Sequence, residues 1–175
     1  MHRKRYSVTA EKALEHANAH MINFISTNTP GLENWTEAYI DPKPLELYDP
    51  SGRKLYYQFS VYKNSNLIGR IYIGADKKMG HSVQLVELDS KPFDAAKAIK
   101  KSIEIAKNEY PDGKIKSTQL VVYDYPAIGV MTVVKDKTTG NEYRIAVLTV
   151  VLLLIGDHNA AINILRLGLQ SVAKA

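Results

Sequence analysis

The sequence contains no cysteine. Disulfides, thiolate zinc centres and a cysteine nucleophile are therefore excluded. Long apolar runs are also missing. The longest, Ile145 to Ile155 interrupted only by Thr149, covers eleven residues, whereas a spanning helix needs about 20. No signal peptide is visible, because the stretch after Arg5 reads as an amphipathic helix rather than an apolar segment, and a cytoplasmic location is the default expectation. Phenylalanine is scarce, with three residues against eleven tyrosines. That balance favours strands with one wet face, where a ring packs while its hydroxyl stays hydrated. Concentrated charge of one sign is missing too. The net charge of +5 comes from scattered lysines, apart from His2-Arg3-Lys4-Arg5 at the start. Such a start reads as a solvated tail rather than a nucleic-acid arm.

What is present suits an α+β protein with a modest core. Leu14, Ala17, Met21, Phe24 and Ile25 recur at helical spacing, so residues 9–26 form one helix, capped by Ser7 or Thr9. Asn28-Thr-Pro-Gly31 ends it. Trp35 to Leu47 reads as extended. Pro42 and Pro44 put that strand at an edge or break it in two. Asp49-Pro-Ser-Gly52 is a turn, with glycine in the left-handed position. Lys54 to Tyr62 alternates, with Leu55, Tyr57, Phe59 and Val61 on one face. Asn64-Ser-Asn66 turns the chain, and strands return over 67–73 and 81–88.

The pattern then repeats about 80 residues on. A second helix starts at Ser90-Lys-Pro-Phe93, with Pro92 in its first turn. Its stripe is Ala96, Ile99, Ile103, Ala106 and Tyr110. Strands follow at 115–125, 128–136 and 141–150, the last two joined by Lys137-Thr-Thr-Gly140. The expectation is two units, each a helix on an antiparallel meander, over 6–89 and 90–147 of a body spanning 1–147. Residues 148–175 form a separate apolar strand or linker and a helix.

Chemistry-bearing residues are few. His16 and His20 stand one turn apart, a spacing compatible with a metal, but no acidic partner completes the motif and a solvated pair is expected. Asp76 with Lys77 and Lys78 reads as a charged loop tip. Gly69, Gly74 and Gly80 are spaced for bulges rather than a phosphate cradle. Tyr123-Asp-Tyr-Pro126 reads as a hairpin corner.

The order of helix, Leu45-Glu-Leu-Tyr-Asp-Pro-Ser-Gly-Arg-Lys-Leu-Tyr-Tyr57, Asn66-Leu-Ile-Gly-Arg-Ile-Tyr-Ile-Gly-Ala75 and Leu120-Val-Val-Tyr-Asp-Tyr-Pro-Ala-Ile-Gly-Val-Met131 resembles the prosegment-type domain before streptopain-type and bacteriocin-processing cysteine peptidases. It is similar above all to archaeal members with PepSY-like or cystatin-like domains. The resemblance covers about residues 6–147 and implies a fold of that kind. It also implies a non-catalytic role as inhibitor or chaperone, with no enzyme activity and no cofactor. The expected partner is a cysteine peptidase catalytic domain. The expected partner-binding edge is Tyr39, Leu45, Leu47 and Tyr48, where an extended segment adds a strand to another protein. The catalytic domain that follows in such relatives does not follow here, since the sequence departs after Arg144-Ile145.

Asp157-His-Asn-Ala-Ala-Ile-Asn-Ile164 resembles instead the C-terminal end of TnpB/OrfB nucleases encoded by small transposons. That resemblance makes Asp157 the counterpart of a metal-binding acid. Two-metal cleavage needs several carboxylates converging on the cations, and the family's other acidic motifs and its zinc ribbon are absent, so Asp157 is expected to be inactive. Ile162, Leu165, Leu169 and Val172 form one stripe, so 158–173 is expected to be an amphipathic helix. It docks on the body or pairs with a second copy as a homodimer. A transposon inserted into a prosegment–peptidase gene would produce such a fusion, leaving an orphan domain. The alternative is a nucleic-acid-binding, transposon-related protein without nuclease activity.

Overall fold

Thr9 is extended, and its hydroxyl accepts a hydrogen bond from the Lys12 amide at 3.2 Å, which starts helix α1 (Ala10–Ser26). Asn28, at φ 48°, and Gly31, at φ 85°, turn the chain out of it. The computed structural model describes residues 6–88, 92–124 and 127–148. Asp157, the 162–172 stripe and the helix expected over 158–173 lie outside the described residues. The described residues form an α+β fold with mostly antiparallel strands. They divide into two compact units. One comprises the chain up to Leu47 with Arg53–Phe93, and the other comprises Tyr48–Gly52 with the chain from Asp94 on.

In the first unit, strands β1 (Tyr39–Ile40) and β2 (Leu45–Tyr48) flank the prolines, so the expected strand is broken in two. Trp35 does not belong to it. It closes a short 3-10 turn, Glu33–Trp35, and is buried there. The reason is tertiary, because an indole gains more from burial than from an exposed extended position. The turn at Asp49–Gly52, which belongs to the second unit, has the expected form: Gly52 lies at φ 86°, and the Asp49 carboxylate accepts from the Ser51 amide at 2.9 Å. Strands β3 (Lys54–Lys63) and β4 (Asn66–Gly74) pair through a two-residue turn. Asn64 and Ser65 both have positive φ there, 49° and 65°. This mirror-image turn matches the twist of the strands.

Strand β5 (Val83–Leu88) pairs antiparallel with β4. It begins two residues later than the alternation suggests, after a 3-10 turn, Lys77–Met79, that Asp76 caps. Alternation puts Tyr57, Phe59 and Val61 of β3 and Ile71 and Ile73 of β4 into one core with Ala13, Ala17 and Met21 of α1. Ala13 and Ala17 are fully buried, and their small side chains let the helix lie close to the sheet. Each fully buried large aliphatic or aromatic side chain contributes roughly 1.5–3 kcal/mol.

In the second unit, helix α2 (Ala95–Glu109) starts at Asp94, whose carboxylate accepts from the Lys97 amide at 2.8 Å. Pro92 therefore precedes the helix instead of occupying its first turn. Of the expected stripe, Ala106 is buried and Ile99, Ile103 and Tyr110 are half-buried, but Ala96 is exposed, and Ser102, not expected there, is buried. Strands β6 (Lys114–Asp124), β7 (Ala127–Lys135) and β8 (Glu142–Leu148) form an antiparallel meander. Tyr48, at the end of β2, stands in parallel register with Val121 of β6. Ser102 enters the apolar stripe because Thr132 of β7 satisfies it, with the two hydroxyls 2.8 Å apart. Thr118 also reaches Thr132 at 3.2 Å.

Candidate functional site

Period two along β3 leaves Gln58, Ser60 and Tyr62 on the sheet face away from α1. Register sets Tyr72 opposite Gln58, Arg70 opposite Ser60 and, on β5, Glu87 opposite Arg70. A shift between Val61 and Tyr62 brings Tyr62 opposite Leu67. Gln58, Ser60, Tyr62, Leu67 and Arg70, with Leu45 of β2 and Phe93 beyond β5, line a cleft of about 310 Å³.

From Gln58 and Arg70 in the cleft lining runs a largely buried polar chain. Gln58 and Tyr72 are each 2% exposed. Gln58 Nε2 donates to the Tyr72 hydroxyl at 2.5 Å, and that hydroxyl donates to Glu87 Oε1 at 3.0 Å. Arg70 Nη1 donates to Glu87 Oε2 at 3.0 Å. Burial, followed by the Glu87 charge, pushes the Tyr72 phenol well above its ordinary range. It stays a neutral donor throughout the physiological range. Gln58 Oε1 is buried and has no hydrogen-bond partner. On the adjoining surface, Tyr39 is 53% exposed and stacks on Tyr62 with ring centroids 5.8 Å apart.

The residues expected to form a partner edge are not equivalent. Tyr39 is exposed and Leu45 half-buried at the cleft, whereas Leu47 is fully buried and Tyr48 half-buried opposite Val121. β1 is only two residues long, so little backbone is offered for strand addition. The cleft residues Gln58, Arg70 and Phe93 were not singled out from sequence. Nothing local marked Gln58, because alternation puts it on the outward face of β3, where a polar residue is ordinary.

The remaining candidates have local roles. His20 is half-buried rather than fully solvated: its Nε2 lies 2.9 Å from Ser82 Oγ, and its ring lies 5.9 Å from that of Phe24. Burial and then the nearby His16 hold its pKa below the ordinary value. Among the described residues no group of three His, Asp or Glu is placed to hold a metal ion. Asp76 accepts from the Lys78 amide at 2.9 Å and from Arg53 Nη2 at 3.0 Å, and the Lys78 bond leads in holding its carboxyl low. In the second unit a shallower cleft involves Ser51, Gln119 and Met131. On it, Arg144 Nη1 donates to the Pro50 carbonyl at 2.8 Å, and Lys116 pairs with Glu142. Among the described residues no helix is long and apolar enough to cross a membrane.

No family model matches the chain, and no curated protein or solved structure matches it either.

Proposed function

We propose that this chain is a non-catalytic protein-recognition module of the prosegment kind, with a cysteine peptidase catalytic domain as partner. On this reading, each helix-plus-meander unit is cystatin-like or PepSY-like, and the chain is an orphan of its enzyme. The observation that carries the proposal is the exposed Tyr39–Tyr62 stack beside a cleft with a mixed lining. Tyrosine and arginine are the residues that most often dominate binding energy between proteins, and a ring immobilised by stacking loses little entropy on contact. The sequence resemblance over 6–147 supplies the class of partner.

A prosegment tethered to its enzyme acts at an effective concentration that is commonly millimolar. Without the tether, binding is expected to be micromolar at best, which is about −8 kcal/mol. The test is titration of the purified full chain into a streptopain-type catalytic domain, following cleavage of a fluorogenic peptide. Inhibition that weakens when Tyr39 and Tyr62 are replaced by alanine is expected. Neither inhibition nor a complex at roughly 100 μM would remove the proposal.

A further inference from the structure

Among the described residues, the buried amide of Gln58 keeps one side-chain atom unsatisfied: Nε2 serves Tyr72, while Oε1 has no donor. Buried polar atoms are nearly always satisfied, and a specific exception calls for a physical reason. Tyr72 cannot supply the missing donor, because its single O–H is committed to Glu87. Gln58 also lines the cleft. Oε1 itself lies just below the cleft surface; the last torsion of a glutamine side chain is soft, so a rotation of the planar amide, which also shifts Nε2 against Tyr72, turns Oε1 toward a donor entering from that side.

The surroundings narrow what the donor is. Leu45, Leu67 and Phe93 supply an apolar wall. Arg70 is neutralised by Glu87, so the cleft offers no strong field for a charged ligand. At about 310 Å³ it lies at the lower end of ligand pockets, roughly 300–1,000 Å³. That is room for one aliphatic side chain and the peptide groups flanking it. Resting on the protein-recognition reading above, we infer that the cleft takes an extended, uncharged segment of the partner polypeptide. One aliphatic side chain lies against Leu45, Leu67 and Phe93, and a main-chain N–H from the segment is donated to Gln58 Oε1. The Tyr39–Tyr62 stack flanks the same position.

Two capped peptides test this on the full chain: acetyl-Gly-Ala-Leu-Ala-Gly amide, and the same peptide with the leucine nitrogen methylated. Titration is followed by nuclear magnetic resonance of backbone amides and of the glutamine side-chain NH2 groups. The expected result is shifts at Gln58, Ser60, Tyr62 and Leu67. Binding of the methylated peptide should be at least about ten-fold weaker, the loss typical of one hydrogen bond to a buried group. Gln58→Met should bind both peptides equally, a loss of discrimination that a purely structural role would not produce. If Gln58→Met fails to fold, Leu67→Lys at the hairpin end is expected to abolish binding of the unmethylated peptide.

No shifts up to about 5 mM peptide, which would mean binding weaker than roughly −3 kcal/mol, overturns the inference. So do shifts confined to other surfaces, equal binding of both peptides by the unmodified chain, or cleft shifts that track protein concentration alone and so indicate a second copy. The peptidase titration is a separate measurement. Peptide binding without peptidase inhibition removes the choice of partner and leaves the cleft assignment standing. Peptidase inhibition without peptide binding does the reverse.

Discussion

The indole of Trp35 lies so close over Gly69 of β4 that a Cβ at position 69 would sit 2.5 Å from Trp35 Cζ2 and 2.6 Å from the Glu87 carbonyl oxygen. Trp35 is 1% exposed, and the absence of a side chain at 69 is what admits it. Gly69→Ala is therefore expected to destabilise by about 1–3 kcal/mol, the usual cost of overpacking a filled core. Urea unfolding followed by fluorescence measures this, because Trp35 is the single tryptophan. Gly74→Ala is the control. Its nearest neighbour would be Met79 Sδ at 3.5 Å, an ordinary contact, and the change should be small. Equal losses for the two variants would refute the account.

Tyr72→Phe should cost about 1–3 kcal/mol, since it strands both polar ends of a Gln58 amide that is 2% exposed. Gln58→Met should cost less, because it removes the unpaired oxygen together with the amide and leaves the Tyr72 hydroxyl on Glu87. In the double variant Tyr72→Phe/Gln58→Met much of the first loss should be recovered. Denaturant melts of the four proteins give the coupling directly. Simple additivity would show that the two side chains do not form one network.

Protonation of His20 should weaken the fold. Its folded pKa is lowered from 6.5, first by burial and then by the charge of His16. As pH falls, the unfolded chain takes up the proton first, so stability is full above about 6.5 and declines as pH drops through the depressed folded value. Thermal melts between about pH 7.5 and 5 should fall for the unmodified chain and less for His20→Asn, judged by the difference in slope. A further loss belongs to more acid conditions. There the carboxyls of Asp136, held low by the Thr139 and Thr138 amides, and Glu142, held low by Lys116, take up protons. Identical slopes above pH 5 would assign the effect to other groups.

A chain ending at Leu148 keeps every described strand. If the Ile162, Leu165, Leu169 and Val172 stripe pairs with a second copy rather than docking on the body, the full chain has a larger, concentration-dependent mass by light scattering, and the shortened chain is a monomer. Burial of those four aliphatic side chains from each copy, at roughly 1.5–3 kcal/mol each, would suffice for a micromolar dimer after association entropy is met. Equal masses across the concentration range would leave no role for the stripe in self-association.

Much of the secondary structure was legible because its causes are local. The spacing of Leu14, Ala17 and Met21 marks α1, and Pro50 with Gly52 marks a turn whatever surrounds them. Alternation through Tyr57, Phe59 and Val61 names the core face of β3. The misses have tertiary causes. Trp35 left an expected strand for a buried turn because Gly69 made room for it. The expected stripe of α2 omitted Ser102, which is buried because Thr132, thirty residues on, answers its hydroxyl. Pro92 lost its place in the helix to Asp94, whose carboxylate meets the free amide of Lys97.

The candidate site was the least legible feature. Its polar chain joins Gln58, Tyr72 and Glu87 from three strands, and only the pairing register brings them together. The sequence by itself determined which residues prefer helix, strand and turn, because those preferences arise within a few bonds of each residue. Tertiary structure alone decided that Gln58 meets Tyr72 and that Tyr62 stacks on Tyr39. A one-residue slip between strands reverses every side chain, and the register is chosen by the whole core rather than by any segment.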